Sequence, residues 1–227
     1  IGRLPVVTQE ELNAYIGKVQ GYESSGGDWT QRVLMVADDP DNGVDFAADS
    51  DDVAALLPSA YTAEKVYLSE HTMADGHQLT LDGINNGAVV MNYMGHGGLN
   101  CLAQEGWEGL LLTSDMASLT NSDRLPVVTA FTCMVGQFAI PGYDALAEAL
   151  VLKDGGGSVA VWAPTGLSEN TWAKMLDEEF FRAALEGGEK QVGASILRAV
   201  EAYYSRGGMA SMLDVYTLLG DPALELR

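Results

Sequence analysis

Short apolar runs alternate along the chain with amphipathic segments. The first amphipathic segment follows Thr8, which forms a capping box with Glu11 and predicts a helix over 8–23. Apolar runs with strand composition predict five strands, over 32–37, 65–68, 88–93, 126–132 and 158–163. Apolar residues at helical spacing predict further helices over 50–57, 79–86, 114–119, 144–152, 168–186 and 191–204.

The alternation of strands with helices predicts a doubly wound α/β fold, with a mostly parallel sheet and helices on both faces. The nearly continuous apolar character of the strands agrees with this, because central parallel strands are buried on both sides. We expect residues 1–227 to form a single catalytic domain, with residues 1–28 as an N-terminal helical lead-in. The opening residues read as mid-protein sequence, so we expect other domains to flank this one in a longer protein.

The chain is strongly acidic, with 32 acidic and 12 basic residues and a net charge of −20. A field of this sign repels phosphate backbones, so nucleic acid is not an expected partner. It attracts cationic substrates or calcium, but solubility, or adaptation to a salty or extracellular setting, is the favoured explanation of the charge. No run of 18 apolar residues is present, so we expect no membrane span in this chain.

Two reactive residues follow predicted strands. His96 lies in a glycine-rich turn after the strand over 88–93, and Cys133 follows the strand over 126–132. Ligands of open parallel sheets bind beyond the carboxyl ends of the strands, where these side chains can share a crevice. A thiol needs a base to become the nucleophilic thiolate, and an imidazole supplies one. The N–H groups of Gly97 and Cys133 are candidates for an oxyanion hole.

Other interpretations of these residues stay open at this point. A cysteine at a strand end is often a small buried hydrophobe, and a histidine between glycines is often a tight-turn residue. A metal site formed by His96, Cys101 and Cys133 is a further alternative, although no fourth ligand with zinc-like spacing is visible. Cys101 lies in the loop after His96, where no predicted strand presents it.

Ordered matches across nearly the whole chain resemble the gingipain family of cysteine peptidases, which share the caspase–haemoglobinase fold. The matching segments are 1–6, 85–87, 92–97, 119–121, 125–126, 132–138, 147–150, 159–161 and 216–224, together with Tyr22, Glu23 and Trp29. The match is strongest around the histidine and the cysteine. The resemblance therefore places His96 and Cys133 on the family's catalytic pair.

The resemblance also implies supporting residues. An acidic residue after the first large strand supports the histidine in this family, and Asp39 is better placed for this role than Asp38, although either residue can simply cap the loop. Asp51 lies near the aspartate that lines the substrate pocket of arginine-specific members, although Ser50 can instead begin a helix there. Ser168 and Trp172 are expected to border the pocket. The tryptophan lies two residues later than in the family, so the pocket wall is expected to differ.

Together these observations predict a cysteine endopeptidase that forms an acyl-enzyme on Cys133 and prefers a basic residue before the cut. A sortase-like transpeptidase on the same dyad and a non-catalytic caspase-like binding domain are the alternatives. The expected partner is a protein or peptide substrate, and the expected location is secreted or on the cell surface. No cofactor is expected to be required, but the carboxylates over 38–49 are candidate ligands for a structural calcium ion.

Overall fold

The computed structural model describes residues 1–41 and 43–227 and contains ten strands. The strands are β1 (Gly2–Arg3), β2 (Arg32–Ala37), β3 (Thr62–Tyr67), β4 (Val90–Met94), β5 (Gly97–Gly98), β6 (Cys101–Glu105), β7 (Glu108–Leu112), β8 (Val127–Phe131), β9 (Ala160–Pro164) and β10 (Tyr216–Leu219). Seven of them form the main sheet, in the order β1-β10-β9-β8-β4-β2-β3. The five strands from β9 to β3 are parallel, while β10 runs antiparallel to β9. The predicted mostly parallel sheet is therefore observed.

Helices cover both faces of this sheet. They are α1 (Gln9–Ser24), α2 (Phe46–Ala54), α3 (Met73–Asn86), α4 (Leu146–Leu152), α5 (Asn170–Phe181), α6 (Val192–Ser205) and α7 (Ala210–Val215). The side chains of alternate strand residues pack into two hydrophobic cores, because successive side chains point to opposite faces of the sheet. One core joins the sheet to α2, α5, α6 and α7, and the other joins it to α3 and α4. Helix α1 contributes Tyr22 to the first core and Tyr15 to the second.

The capping chemistry explains where several helices begin. Thr8 and Glu11 form the predicted capping box at the start of α1. The prediction for α2 was wrong at its start, because the Asp45 side chain accepts a hydrogen bond from the N–H of Ala48 and starts the helix at Phe46. Thr72 likewise caps α3, which begins at Met73, six residues before the predicted start.

The region between β4 and β8 differs most from its predicted form. A glycine-rich loop was expected, but β5, β6 and β7 form a small antiparallel sheet there. This small sheet contributes Leu102, Leu110 and Leu111 to the core beneath α3. The predicted helix near residue 114 is a 3-10 helix, Thr113–Ser118. The consequence is that the turn carrying His96 is held by strand pairing on both sides.

The N-terminal segment is integrated into the fold. Strand β1 pairs with β10, and Tyr15 on α1 donates a hydrogen bond of 3.2 Å to the carbonyl of Val159. Within the described residues, no helix is long and apolar enough to cross a membrane.

Candidate active site

The carboxyl ends of four adjacent strands of the main sheet converge on one cleft. Met94 and Phe131 are direct partners in the ladder between β4 and β8. His96 and Cys133 each lie two residues beyond this pair, so the register of the sheet places them at the same level. Ser168 follows β9 on the next position across the sheet.

The turn that carries His96 is fixed by its backbone. The N–H of His96 donates a hydrogen bond of 2.9 Å to Oδ2 of Asp38, and the hydroxyl of Tyr93 donates one of 2.5 Å to the carbonyl of His96. Gly95 has a φ of +153°, and a Cβ there would lie 2.4 Å from Cβ of Asp38. The glycine before the histidine is therefore required by a close approach between two strand ends.

Asp38 is a buried carboxylate directly beneath this turn. Burial raises the pKa of Asp38 to about 6, and the hydrogen bond from the backbone of His96 opposes that rise. The N–H of Asp39 donates a second hydrogen bond of 2.9 Å to Asp38. Asp38 thus binds the backbone of the histidine turn and holds it in place.

The imidazole of His96 is half exposed and bound on two sides. Its Nε2 atom lies 3.2 Å from Oδ2 of Asp41, and its ring meets the buried ring of Phe46 edge-on, with the centroids 5.3 Å apart. Because an ionised carboxylate only accepts hydrogen bonds, this contact is a hydrogen bond in the tautomer that carries the proton on Nε2, and that tautomer leaves the Nδ1 lone pair available. The ring is therefore oriented, with one nitrogen able to act as a base.

Cys133 is presented by a tight turn beside Ser168. The thiol donates to the carbonyl of Ser168 at 3.6 Å, and the N–H of Ser168 donates to Sγ at 3.4 Å. Met134, the next residue, has a φ of +58°, which is costly for a residue with a side chain. This strained turn lets Cys133 face the cleft instead of the core.

The second cysteine has a different environment. Cys101 is buried on β6, and burial raises the pKa of its thiol. Buried thiols in apolar surroundings are poor nucleophiles because the thiolate is disfavoured. A metal site joining the two cysteines and His96 is not observed, since no group of three or more such ligands is found in the described part of the chain.

Gly97 packs directly against the segment that ends in Cys133. A Cβ at this position would lie 2.4 Å from Oγ1 of Thr132 and 3.1 Å from the carbonyl oxygen of Cys133. The lack of a side chain therefore allows the backbones of the histidine and cysteine turns to approach each other. This proximity is what a shared oxyanion hole requires.

The cleft itself has a volume of about 280 Å³. Its lining residues are Asp41, Val44, Phe46, Gly95, His96, Phe131, Thr132, Cys133, Ser168, Glu169, Asn170 and Ala173. This volume is at the small end of ligand pockets, so it suits a single substrate side chain beside the reacting groups.

The structure brings together His96, Cys133 and Ser168 in the cleft. Gly97 packs against Thr132 without lining the cleft, and three other predicted site residues lie elsewhere. Neither Asp39, Asp51 nor Trp172 is among the described residues that line the cleft. Asp39 is exposed and borders a separate pocket. Trp172 packs its ring against the core under α5.

Lysines neutralise the carboxylates of α2. Asp51 accepts hydrogen bonds from Lys65 at 2.7 Å and from the hydroxyl of Tyr67 at 2.8 Å, and Lys65 lowers the pKa of Asp51. Asp49 and Asp52 both accept from Lys174, at 2.7 and 2.6 Å. Of these three carboxylates only Asp49 belongs to the candidate calcium ligands over 38–49, and its ion pair is with Lys174. A structural calcium ion stays a prediction.

Sequence reasoning missed Asp41, which contacts the histidine ring. Its acidic character and its position three residues after Asp38 were visible, but the path of the loop that turns it back to His96 was not. Sequence reasoning also missed the main chain of Ser168 as a partner of the cysteine, because backbone contacts leave no sequence signal.

The fold and the cysteine–histidine cleft define a cysteine-type peptidase. The chain belongs to Peptidase family C25, whose family model matches residues 1–227. Gingipain R2 of Porphyromonas gingivalis is 28% identical over 252 residues, a match that covers the whole of this chain and 32% of that protein. Gingipain R1 of the same organism is also 28% identical over 252 residues. This match covers the whole of the present chain and 24% of Gingipain R1. The chain thus spans about a third or less of these relatives.

Solved structures agree with the fold. The crystal structure of the Arg-specific cysteine proteinase gingipain R superposes with a TM-score of 0.85 at 26% identity, over all of this chain and 55% of that one. A more distant protease structure, at 17% identity and a TM-score of 0.74, shares the fold. The predicted family and the predicted doubly wound architecture are both confirmed.

Proposed function

We propose that this domain is a cysteine endopeptidase in which Cys133 is the nucleophile and His96 is the general base and acid. The observation that carries the proposal is the shared register of β4 and β8, which places both residues at one level in the same cleft. An exposed, oriented imidazole beside an accessible thiol is the arrangement that nucleophilic catalysis by cysteine needs. The buried environment of Cys101 argues against that residue.

The proposed reaction begins when the imidazole of His96 takes the proton of the Cys133 thiol. The thiolate attacks the carbonyl carbon of the scissile peptide, and the electron pair of the carbonyl moves to its oxygen. The N–H groups of Gly97 and Cys133 stabilise that oxyanion. As the tetrahedral intermediate collapses, the C–N bond breaks and the imidazolium gives its proton to the leaving amine.

An acyl-enzyme on Cys133 remains after the first half of the reaction. His96 then takes a proton from water, the resulting hydroxide attacks the thioester carbonyl, and the thiol leaves with the proton that His96 returns. Asp41 stabilises the imidazolium that forms in both halves, since its carboxylate lies 3.2 Å from Nε2. We therefore assign to Asp41 the supporting role that the family resemblance assigned to Asp39.

A basic residue before the cut is the proposed substrate preference. Two carboxylates, those of Asp41 and Glu169, line the cleft, and the net charge of −20 steers cations towards it. The similarity to an arginine-specific proteinase supports the same preference. Asp51 is a weak candidate for the pairing carboxylate, because Lys65 and Tyr67 already bind it.

The test compares two cysteine variants on a diverse peptide library. Cys133→Ala should abolish cleavage, while the matched variant Cys101→Ala should retain it in a folded protein. His96→Ala should lower turnover by roughly two to four orders of magnitude, the usual contribution of a general acid–base group. Loss of activity in Cys101→Ala with activity kept in Cys133→Ala would contradict the proposal. Added amines distinguish hydrolysis from transpeptidation, because a transferase forms amide adducts with them.

The setting of the domain is also proposed. We infer a secreted or cell-surface protein in which further domains flank residues 1–227, since the relatives are much longer than this chain. A structural calcium ion remains a prediction. Fractionation of the source cells and thermal unfolding with calcium and with a chelator would test these two points separately.

A further inference from the structure

We propose that Tyr216 is a positioning residue for Cys133 and acts through Ser168. This inference rests on the proposed role of Cys133 as the nucleophile. Tyr216 opens β10, a strand that the sequence did not predict, and it is far from the cysteine along the chain. Two consecutive contacts connect the two residues through Ser168, and a third set of contacts anchors Tyr216.

The first contact is between Ser168 and the sulfur. The carbonyl of Ser168 accepts from the thiol at 3.6 Å, and its N–H donates to Sγ at 3.4 Å. The main chain of Ser168 therefore offers a partner to each protonation state of Cys133. Its carbonyl accepts from the thiol, and its N–H donates to the thiolate. The sulfur can lose its proton to His96 without turning away from this unit.

The second contact fixes Ser168 itself. Its hydroxyl lies 2.9 Å from the hydroxyl of Tyr216. Ser168 belongs to the short segment between β9 and α5. The hydroxyl pair ties that segment to the end of the main sheet.

The third set of contacts makes Tyr216 a rigid anchor. Its ring packs on Phe131 at a centroid distance of 5.5 Å and on Trp162 at 5.7 Å. Phe131 is the last residue of β8, two residues before Cys133. Tyr216 therefore packs against the end of the strand that precedes Cys133, and Ser168 connects the Tyr216 hydroxyl to the sulfur.

Other hydrogen bonds hold the residues between β9 and Ser168 in place. The hydroxyl and the N–H of Thr165 both donate to the carbonyl of Val215, at 3.0 and 2.7 Å. The N–H of Met134 donates to the carbonyl of Gly166 at 3.0 Å. Removal of the Tyr216 hydroxyl should therefore loosen Ser168 locally while leaving the segment folded.

The expected effect is on the chemical step. A sulfur that is held less firmly reaches the attacking geometry less often, so kcat should fall about tenfold while KM changes less than about twofold. Alkylation of Cys133 by iodoacetamide should slow in parallel, because it requires the same sulfur orientation. A merely structural role would lower the melting temperature without this split between kcat and KM.

The experiment is a double-mutant cycle of Tyr216→Phe and Ser168→Ala, with Tyr203→Phe as the matched control. The hydroxyl of Tyr203 donates to the carbonyl of Met209 at 3.1 Å and makes no contact with Ser168 among the described bonds. Each single variant should lose about tenfold in kcat, and the double variant should lose no more than either single one. Ser168→Thr keeps a hydroxyl and should restore most of the rate.

Other outcomes overturn the inference. A rise in KM with kcat unchanged would mean that Tyr216 acts on substrate binding, and independent losses that multiply in the double variant would mean that the hydroxyl pair is not the link. If Tyr216→Phe does not fold, Ser168→Ala alone tests the proposal. An unchanged kcat and an unchanged alkylation rate in Ser168→Ala would then reject it. Activity in Cys133→Ala would instead reject the proposed function, and the alkylation rates would still judge the role of Tyr216.

Discussion

Asp38 accepts a 2.9 Å hydrogen bond from the backbone N–H of His96, and so the end of β2 holds the turn at the end of β4. The bond joins neighbouring strands that already pair in parallel. A buried carboxylate lowers the stability of the fold, because burial disfavours its charged form. Its use here indicates that the position of the histidine turn matters more than the stability it costs.

The pH dependence of stability should reveal this cost. The folded chain keeps the proton of Asp38 up to its raised pKa of about 6, whereas the unfolded chain releases it near 3.8. Within that window the folded state binds more protons, so the free energy of unfolding falls as pH rises. Relative to Asp38→Asn, the wild type should lose on the order of 1 to 3 kcal/mol between about pH 4 and pH 6. Urea unfolding across this range measures the difference, and a constant difference would contradict it.

The side chain that supports the imidazole is Asp41. Asp41→Asn keeps the size of the residue but removes the charge that stabilises the imidazolium, so kcat/KM should fall about tenfold or more. Asp39→Asn is the matched control, because the Asp39 side chain is exposed and outside the cleft, and it should stay within about twofold of wild type. Steady-state kinetics on one peptide decides between them. A larger loss in Asp39→Asn would return the supporting role to Asp39.

Gly95 should tolerate no side chain. An added Cβ meets Asp38 at 2.4 Å and the Tyr93 hydroxyl at 2.5 Å, in addition to the unfavourable φ. Gly95→Ala should therefore destabilise the fold by about 2 to 4 kcal/mol and abolish turnover. Gly188→Ala is the control that separates backbone strain from steric clash, since Gly188 has a φ of +70° but no atom lies within 4 Å of an added Cβ. It should lower the free energy of unfolding by only about 1 kcal/mol. If Gly95→Ala and Gly188→Ala lower the free energy of unfolding equally in denaturant, the clash at Gly95 contributes nothing and the prediction is wrong.

Lys174 should limit the preference for basic substrates. It neutralises Asp49, whose other oxygen accepts a 2.9 Å hydrogen bond from the cleft residue Asn170. Lys174→Met frees this carboxylate, so the ratio of kcat/KM for an arginine peptide over a matched glutamine peptide should rise about tenfold. Lys65→Met frees Asp51, away from the cleft, and should leave the ratio unchanged. A rise in both variants would indicate a general charge effect.

The sequence predicted the strand ends well because apolar runs mark buried parallel strands clearly. The bounds of β2 were predicted correctly, and both His96 and Cys133 were identified from their positions after such runs. The small sheet of β5 to β7 was not predicted, since its strands are short and interrupted by glycines. Asp41 and the main chain of Ser168 were missed for another reason, which is that loop paths and backbone contacts depend on the assembled fold.

The ladder between Met94 and Phe131 has a practical consequence for protein engineering. Because strand register fixes the relative position of the two reactive groups, an exposed loop between them can change length without moving either group. The hairpin tip at Gly106 and Trp107 lies in that interval, and Trp107 is 95% exposed. An affinity tag or a fluorescent reporter inserted at this tip would leave the geometry of the catalytic pair unchanged.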